Sequence, residues 1–375
     1  MHSIAMSLFI ALPMWVCAIF AVELLLHWRR SQESAHGWLC LWASVTALLY
    51  FGHFVYFNEA SKWLPITDTL YVACNLSVYP LYVVYISQLT DKRPISSQLL
   101  LMLAITVTPI VFALGVGILY TLMTPEETSA FLKVYLYGGS TEGLTGIPLS
   151  QAWLHNIARI IFTLQVVAVV ATGVRKIHHY NQQLQFLYAD TEDKKLNSIT
   201  TILWLLVITS AFSIVVNAIG RQSFEGSLLL AVPSVLFSVL LFCIGWMGLQ
   251  THSYIGEMEE NEDLQPVEST DSMGPDFALL AKQFNQLMSD EQLFLQHDLR
   301  LDTVVQRLGT NRTYLLAALK QETGMTFNEF INSQRIAYAR QLMSSNPSML
   351  KSDVATRAGY NSLSAFYRNL KQYDR

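Results

Sequence analysis

Seven apolar stretches fill the first two thirds of the chain, with approximate limits 4–27, 37–57, 66–89, 97–122, 151–174, 197–219 and 228–250. A helix of about 20 apolar residues crosses the hydrocarbon core of a bilayer. No other feature narrows the fold as much, because backbone polar groups in lipid must be satisfied within the segment itself. Composition agrees: 52% of residues are hydrophobic and only 14% charged. That is too apolar for a chain soluble throughout. The four cysteines, at positions 17, 40, 74 and 243, all lie in apolar runs. They read as buried small hydrophobes rather than a disulfide framework.

The first stretch reads as an uncleaved helix rather than a signal peptide. Its N-terminus, Met1-His-Ser-Ile-Ala, lacks a basic region, and Arg29 and Arg30 follow the apolar run. That order suits an uncleaved helix with its N-terminus outside. Alternate connections carry Arg29, Arg30, Lys92, Arg93, Arg175, Lys176, Lys194 and Lys195, while the intervening ones carry only Lys62, Lys133 and Arg221. Eight basic residues against three place the first set in the cytoplasm. With seven spans the C-terminus is cytoplasmic.

The C-terminal segment has a different character. From Arg300 onward, eleven Lys or Arg stand against five Asp or Glu, a local charge of +6 in a chain of net charge −4. Within it one pattern is written twice. The first copy reads Asp302-Thr-Val-Val-Gln-Arg-Leu-Gly309, then Thr310-Asn311-Arg312-Thr313-Tyr314-Leu315. The second reads Ser352-Asp-Val-Ala-Thr-Arg-Ala-Gly359, then Tyr360-Asn361-Ser362-Leu363-Ser364-Ala365-Phe366. Each is a short helix, a glycine turn and a second helix, which is the helix-turn-helix pattern. Val305 and Ala355 are small where the helices of each unit would cross, and Gly309 and Gly359 permit a positive φ. Between the copies, Phe327, Phe330, Ile331, Ile336, Ala339, Leu342 and Met343 fall at helical spacing and predict one connecting helix.

This segment resembles the DNA-binding domain of the AraC/XylS family of bacterial transcription regulators. The matching residues run from Leu308 to Leu315, through Gly324, Phe327, Glu329, Phe330, Ile331 and Asn332, and on through Arg335, Ala339 and Leu342. They end with Val354-Ala355, Gly359-Tyr360, Ser364, Phe366, Arg368 and Lys371. The resemblance implies two units reading successive major grooves of double-stranded DNA. The expected fold class is therefore all-α, a seven-transmembrane-helix bundle followed by a soluble AraC-type double helix-turn-helix domain.

The resemblance puts Ser362, Leu363, Ser364, Tyr367 and Arg368 of the second unit at DNA. A guanidinium can bond two acceptors of guanine at once, so Arg368 is the strongest candidate for a base contact. Its loss should cost about 1–3 kcal/mol of discrimination. In the first unit, Asn311 should cap the recognition helix, with Arg312 and Thr313 in its first turn. Leu316, Ala317 and Ala318 follow where many family members carry polar residues, which shifts the first unit toward phosphate contacts. Arg335, on the connecting helix, reads as an internal packing residue. The resemblance also implies a glycine, a Thr-Pro pair and a last helix after the second unit. The segment ending Lys371-Gln-Tyr-Asp-Arg375 does not show them.

The expected domains are residues 1–250, a transmembrane sensor; 251–275, a tether; and 276–375, the DNA-binding domain, with its units near 301–321 and 352–371. The tether holds seven acidic residues and no Lys or Arg, so it reads as solvated and repelled by phosphates and anionic lipid alike. Phe277, Leu280, Phe284, Leu287, Met288 and Leu295 predict an amphipathic helix that opens the DNA-binding domain or serves a homodimer.

Within the spans, Arg159 stands out, roughly 12 Å into its predicted helix by helical rise. With Asp68 and Asn217 it belongs to the outer half. An intramembrane charge faces a bundle interior or a cavity and has a partner. Two readings follow: an outward-facing pocket in which Arg159, Asp68 and Asn217 meet an unknown small-molecule or membrane signal, or a structural pair of Arg159 with Asp68 or Asn217. His155, His178 and His179 read as interfacial. The outer connection Met123 to Ser150 predicts a short helix over 125–137, capped by Thr124, that serves as a binding loop or a slack connector. Pro13, Pro80, Pro109 and Pro233 are candidates for kinks.

No Walker loop, kinase signature or zinc signature is present, so no catalytic group, metal or cofactor is expected. The expected function is a membrane-bound, one-component transcription regulator in a bacterial cytoplasmic membrane. The rival classes are a transporter or channel with a regulatory DNA-binding tail, and a partner that heterodimerises with an intact relative without binding DNA.

Overall fold

The computed structural model describes residues 2–58, 62–90, 98–191, 195–196, 199–204, 206–208, 211, 231–251 and 276–373. The chain is all-α. Among the described residues, six helices are long and apolar enough to cross a membrane: α1 (His2–Ser31), α2 (Ser34–Phe57), α3 (Leu64–Thr90), α4 (Leu99–Leu122), α6 (Gly146–Leu187) and α7 (Ala231–Gln250). The short α5 is Pro125–Phe131. These six coincide with six of the seven expected spans. Most of the remaining one, 197–219, lies outside the described residues, as do Lys92, Arg93, Lys194, Asn217, Arg221 and tether residues 252–275; residues 199–204 and 206–208 are helical.

α6 is much longer than the expected 151–174. Hydropathy ends near Thr172, but helix propensity does not: Lys, Gln and Leu continue the chain to Leu187 and lose little rotamer freedom in a helix. By its contacts the chain forms two units. One holds Met1–Ile177 and Asn197–Ile255; the other holds His178–Leu196 and Gly256–Arg375. The last turns of α6 thus pack with the C-terminal unit.

In the first unit, α6 presents Trp153, Ile157, Ile160, Leu164 and Val167 outward at alternating spacings of four and three. That is one continuous apolar stripe, suited to lipid rather than water. The helices approach closely where side chains vanish. A Cβ on Gly245 would stand 2.2 Å from the Phe20 ring, and one on Gly248 would stand 2.1 Å from Leu39. Small residues of this kind allow close helix packing in a bilayer. In α4 a wide π-turn, Leu103–Val107, precedes Pro109. Proline removes a backbone donor and crowds the preceding turn, and a locally widened turn accommodates both effects. Thr124 caps α5 in a reciprocal capping box with Glu127, with Pro125 at the first helical position. The π-turn Leu132–Tyr137 follows. Phe131 and Tyr135 are buried among Tyr120, Val116 and Leu64. The 125–137 stretch is therefore packed structure, not a slack connector.

Within the second unit, after the last turns of α6, comes α8 (Phe277–Glu291), whose N-cap Asp276 accepts from Ala278 N and Leu279 N. A 3₁₀ turn, Leu293–Leu295, follows. Then come α9 (Leu301–Leu308), α10 (Arg312–Thr323), α11 (Phe327–Ser345), α12 (Lys351–Arg357) and α13 (Leu363–Gln372). Phe284, Leu301, Val304, Leu315, Phe327 and Ile331 form one core. Ile336, Ala339, Val354, Ala358 and Phe366 form another, around the far half of α11. Each fully buried Phe contributes roughly 1.5–3 kcal/mol relative to exposure. α11 thus serves as the shared spine of both cores. A capping box of Thr326 and Glu329 fixes its start.

Candidate nucleic-acid interface

The two units make the same turn. Gly309 has φ 62° and Gly359 has φ 84°. Thr310 N–H reaches Val305 O at 3.2 Å, and Tyr360 N–H reaches Ala355 O at 3.0 Å. This six-to-one bond closes a helix whose next residue is left-handed. Val305 and Ala355 are buried at the crossings. Gly359 is doubly constrained, because a Cβ there would lie 2.7 Å from Leu295 O; at Gly309 nothing lies within 4 Å.

In the second unit Ser362 is the N-cap of α13, its hydroxyl accepting from Ala365 N at 3.1 Å. Ala365 and Phe366 are buried. The helical period then leaves Leu363, Ser364, Tyr367 and Arg368 together on the exposed side. Leu363 is 40% exposed and Tyr367 48%. The preceding Asn361 bonds Asp298 Oδ1 at 3.2 Å, which fixes the entry to the helix.

In the first unit Asn311 caps α10, its side-chain oxygen accepting from Tyr314 N at 2.8 Å. Arg312 is engaged internally: its Nε forms an ion pair with Asp302 Oδ1, and both side chains are largely buried. Thr313 is exposed, whereas Leu316 and Ala317 are half-buried. The α10 surface is thus poorer in polar groups than that of α13.

Arg335 is fully buried and joins the halves of this unit. Its guanidinium donates to Phe294 O and Gln296 O, each at 2.6 Å, and stacks 5.4 Å from the centre of the Tyr360 ring. Burial lowers its pKa, while the Tyr360, Asp190 and Asp298 oxygens push it back up. Burial also raises the Tyr360 pKa, against the pull of Arg335.

A second polar constellation lies far from both helix-turn-helix units in sequence, within Met1–Ile177. Asp68 Oδ2 accepts from the Tyr120 hydroxyl at 2.8 Å and sits 2.9 Å from His155 Nε2; all three residues are buried. His155 Nδ1 lies 2.9 Å from Gln151 O. A carbonyl only accepts, so a hydrogen bond to Gln151 O requires the proton on Nδ1 and leaves Nε2 facing the Asp68 carboxyl. His155 is therefore not interfacial, as its position in the sequence suggests. Among the described residues no ion pair joins Arg159 to Asp68, so that form of the structural pair is not made; the alternative with Asn217 lies outside the described residues. Arg159 instead lies 5.4 Å from the centre of the Tyr135 ring, and Tyr135 donates to Asn156 Oδ1 at 2.8 Å. Because α6 starts at Gly146, Arg159 is roughly 20 Å along it, deeper than the shorter predicted helix implies. Asn217 is outside the described residues. The sequence reading missed His155, Tyr120 and Gln151. The spacing Gln151, His155, Arg159 is itself a signal, a polar row at i, i+4 and i+8 in an otherwise apolar span.

A fold with two helix-turn-helix units on one spine belongs to the class of DNA-reading modules. Residues 304–373 match a family model described as a helix-turn-helix domain. The match supports DNA-binding transcription regulation by this part of the chain. Comparison with curated proteins and with solved structures returns no match.

Proposed function

We propose that the protein is a membrane-bound, one-component transcription regulator whose two helix-turn-helix units read specific double-stranded DNA. The observation that carries this reading is the exposed row of Leu363, Ser364, Tyr367 and Arg368 near the start of α13, on a chain that also holds six membrane-length apolar helices. Arg368 supplies a bidentate donor for guanine, and Leu363 an apolar contact for a thymine methyl. Asn311 and Ser362 fix the helix starts and, with Thr313, face the phosphates, while Asp302 holds Arg312 back from them. The loop charges support an N-terminus outside a bacterial cytoplasmic membrane and a cytoplasmic C-terminus.

In this reading the signal acts on the buried constellation of Asp68, Tyr120 and His155, with Arg159 beside it. A buried polar group in a span is costly and marks function more often than packing. Anything that competes for the Asp68 carboxylate strips Tyr120 and His155 of their buried partner among apolar helices. The test is full-length protein in lipid nanodiscs, challenged with a random pool of duplexes. Enrichment of one sequence class, abolished by Arg368→Ala, is expected. Retention of all duplexes alike, or of none, would overturn the reading.

A further inference from the structure

The C-terminal end of α6 is not a loose connection. After Leu187 the chain passes directly into the core of the DNA-reading unit. Tyr188 forms an antiparallel bridge with Arg300, the N-cap residue of α9. Ala189 N–H donates to Leu299 O at 3.0 Å. The Ala189 carbonyl accepts from two carboxamides of α11, Asn328 at 2.7 Å and Asn332 at 3.0 Å. Asn328 also reaches Tyr188 O at 3.2 Å. Ala189 is completely buried, in one core with Leu299, Leu301, Phe327 and Ile331. The Arg300 guanidinium lies 5.6 Å from the centre of the Tyr188 ring.

We propose that residues 188–190 occupy a dedicated docking shelf on the DNA-reading unit, formed by Leu299, Arg300, Asn328 and Asn332, and that movement of α6 reaches the two helix-turn-helix units through this grip. Three features support the assignment. First, the shelf binds backbone, so it is specific for an extended strand passing at that depth rather than for a particular side chain. Second, its elements are the two that control the unit: the start of α9, and α11, the spine of both cores. Third, it shares no residue with the α13 row, so it can be altered without touching the proposed DNA face. A helix is stiff, and two carboxamides on one buried carbonyl hold its end in a discrete state, because an unmatched buried polar group is costly. The Asp190 charge also acts on Arg335 and Tyr360, where the two halves of the unit join.

This inference rests on the DNA-binding reading, and its test separates the two. In full-length protein in nanodiscs, one alanine is inserted in α6 after Lys176, which turns everything beyond it by about 100° relative to the span. The control is one alanine inserted after Glu260. Affinity for the duplex class selected by the unaltered protein should change about fivefold or more with the first insertion, the usual range of coupling between sites. It should change less than about twofold with the second. Adding Asn328→Ala and Asn332→Ala should remove the effect of the first insertion. Hydrogen exchange provides a readout that does not need DNA: the two Asn substitutions should speed exchange at 186–190 and 299–301 and leave 363–372 protected. An α6 insertion without effect on affinity, an effect that survives loss of both carboxamides, or unchanged exchange at 186–190 would overturn the grip. Failure of the unaltered protein to select any duplex would instead sink the DNA-binding reading and leave the exchange result to decide docking.

Discussion

In the first helix-turn-helix unit Thr310 N–H closes on Val305 O, and in the second Tyr360 N–H closes on Ala355 O; both turns pass through a left-handed glycine. The second helices then diverge. α13 holds Leu363, Ser364, Tyr367 and Arg368 on its exposed side, while α10 ties Arg312 back to Asp302 and continues into half-buried Leu316 and Ala317. The same backbone device thus supports two surfaces of different chemistry.

The largest expected effect tests the turns. Gly309→Ala places a Cβ in open space, so it costs only the left-handed penalty, about 1–2 kcal/mol. Gly359→Ala incurs that penalty and also drives a Cβ to within 2.7 Å of the Leu295 carbonyl, which adds about 1–3 kcal/mol of forced displacement. Hydrogen exchange of 301–323 and 351–372 in the full-length protein measures each separately. Equal losses in the two variants would break the claim that the second turn is pressed against the chain following α8.

The next effect tests the surfaces. Arg368→Ala should remove about 1–3 kcal/mol of discrimination at one base pair, flattening that position in a duplex selection. Arg312→Ala should leave discrimination at every base pair unchanged, because its guanidinium is already committed to Asp302. If Arg312→Ala flattens a base position as deeply as Arg368→Ala does, the two surfaces are equivalent and the comparison fails.

What could be read from the chain alone follows the same division between local and distant. Asn311, Thr124 and Asp276 act through atoms a few residues away, and caps and glycine turns obey short-range rules that spacing reveals. Six spans were legible because about 20 apolar residues leave a helix as the simplest solution in lipid. The pairing of Asp68 with His155 was not, because 87 residues separate them and only the packing of α3 against α6 selects which polar groups meet. The true end of α6 was hidden for another reason: hydropathy marks only the apolar run, and α6 continues past it into turns that bury Tyr180 and Leu184. The engagement of Arg312 by Asp302 spans only ten residues, yet it depends on the crossing of α9 and α10.

A smaller effect should be shared by both units. Asn311→Ala and Ser362→Ala each remove the acceptor of one backbone N–H at a helix start, so each should cost about 1 kcal/mol of local stability. Exchange at the first turns of α10 and α13 reads this directly. Near-equal losses would sharpen the comparison by confirming that the units differ in surface and not in scaffold.

The smallest effect isolates the cause of the asymmetry. Asp302→Asn keeps the size of the side chain and removes the charge that holds Arg312. If that pairing is what withholds Arg312 from DNA, releasing it adds one phosphate contact. The logarithm of affinity should then fall more steeply with the logarithm of salt, by about 0.9 in slope. Discrimination among bases should not change, because a phosphate contact carries no sequence information. Arg312→Ala in the same background should return the slope to its original value. A slope unaltered by Asp302→Asn would mean that Arg312 already reaches phosphate while paired, and the poverty of the first surface would then rest on Leu316 and Ala317 alone.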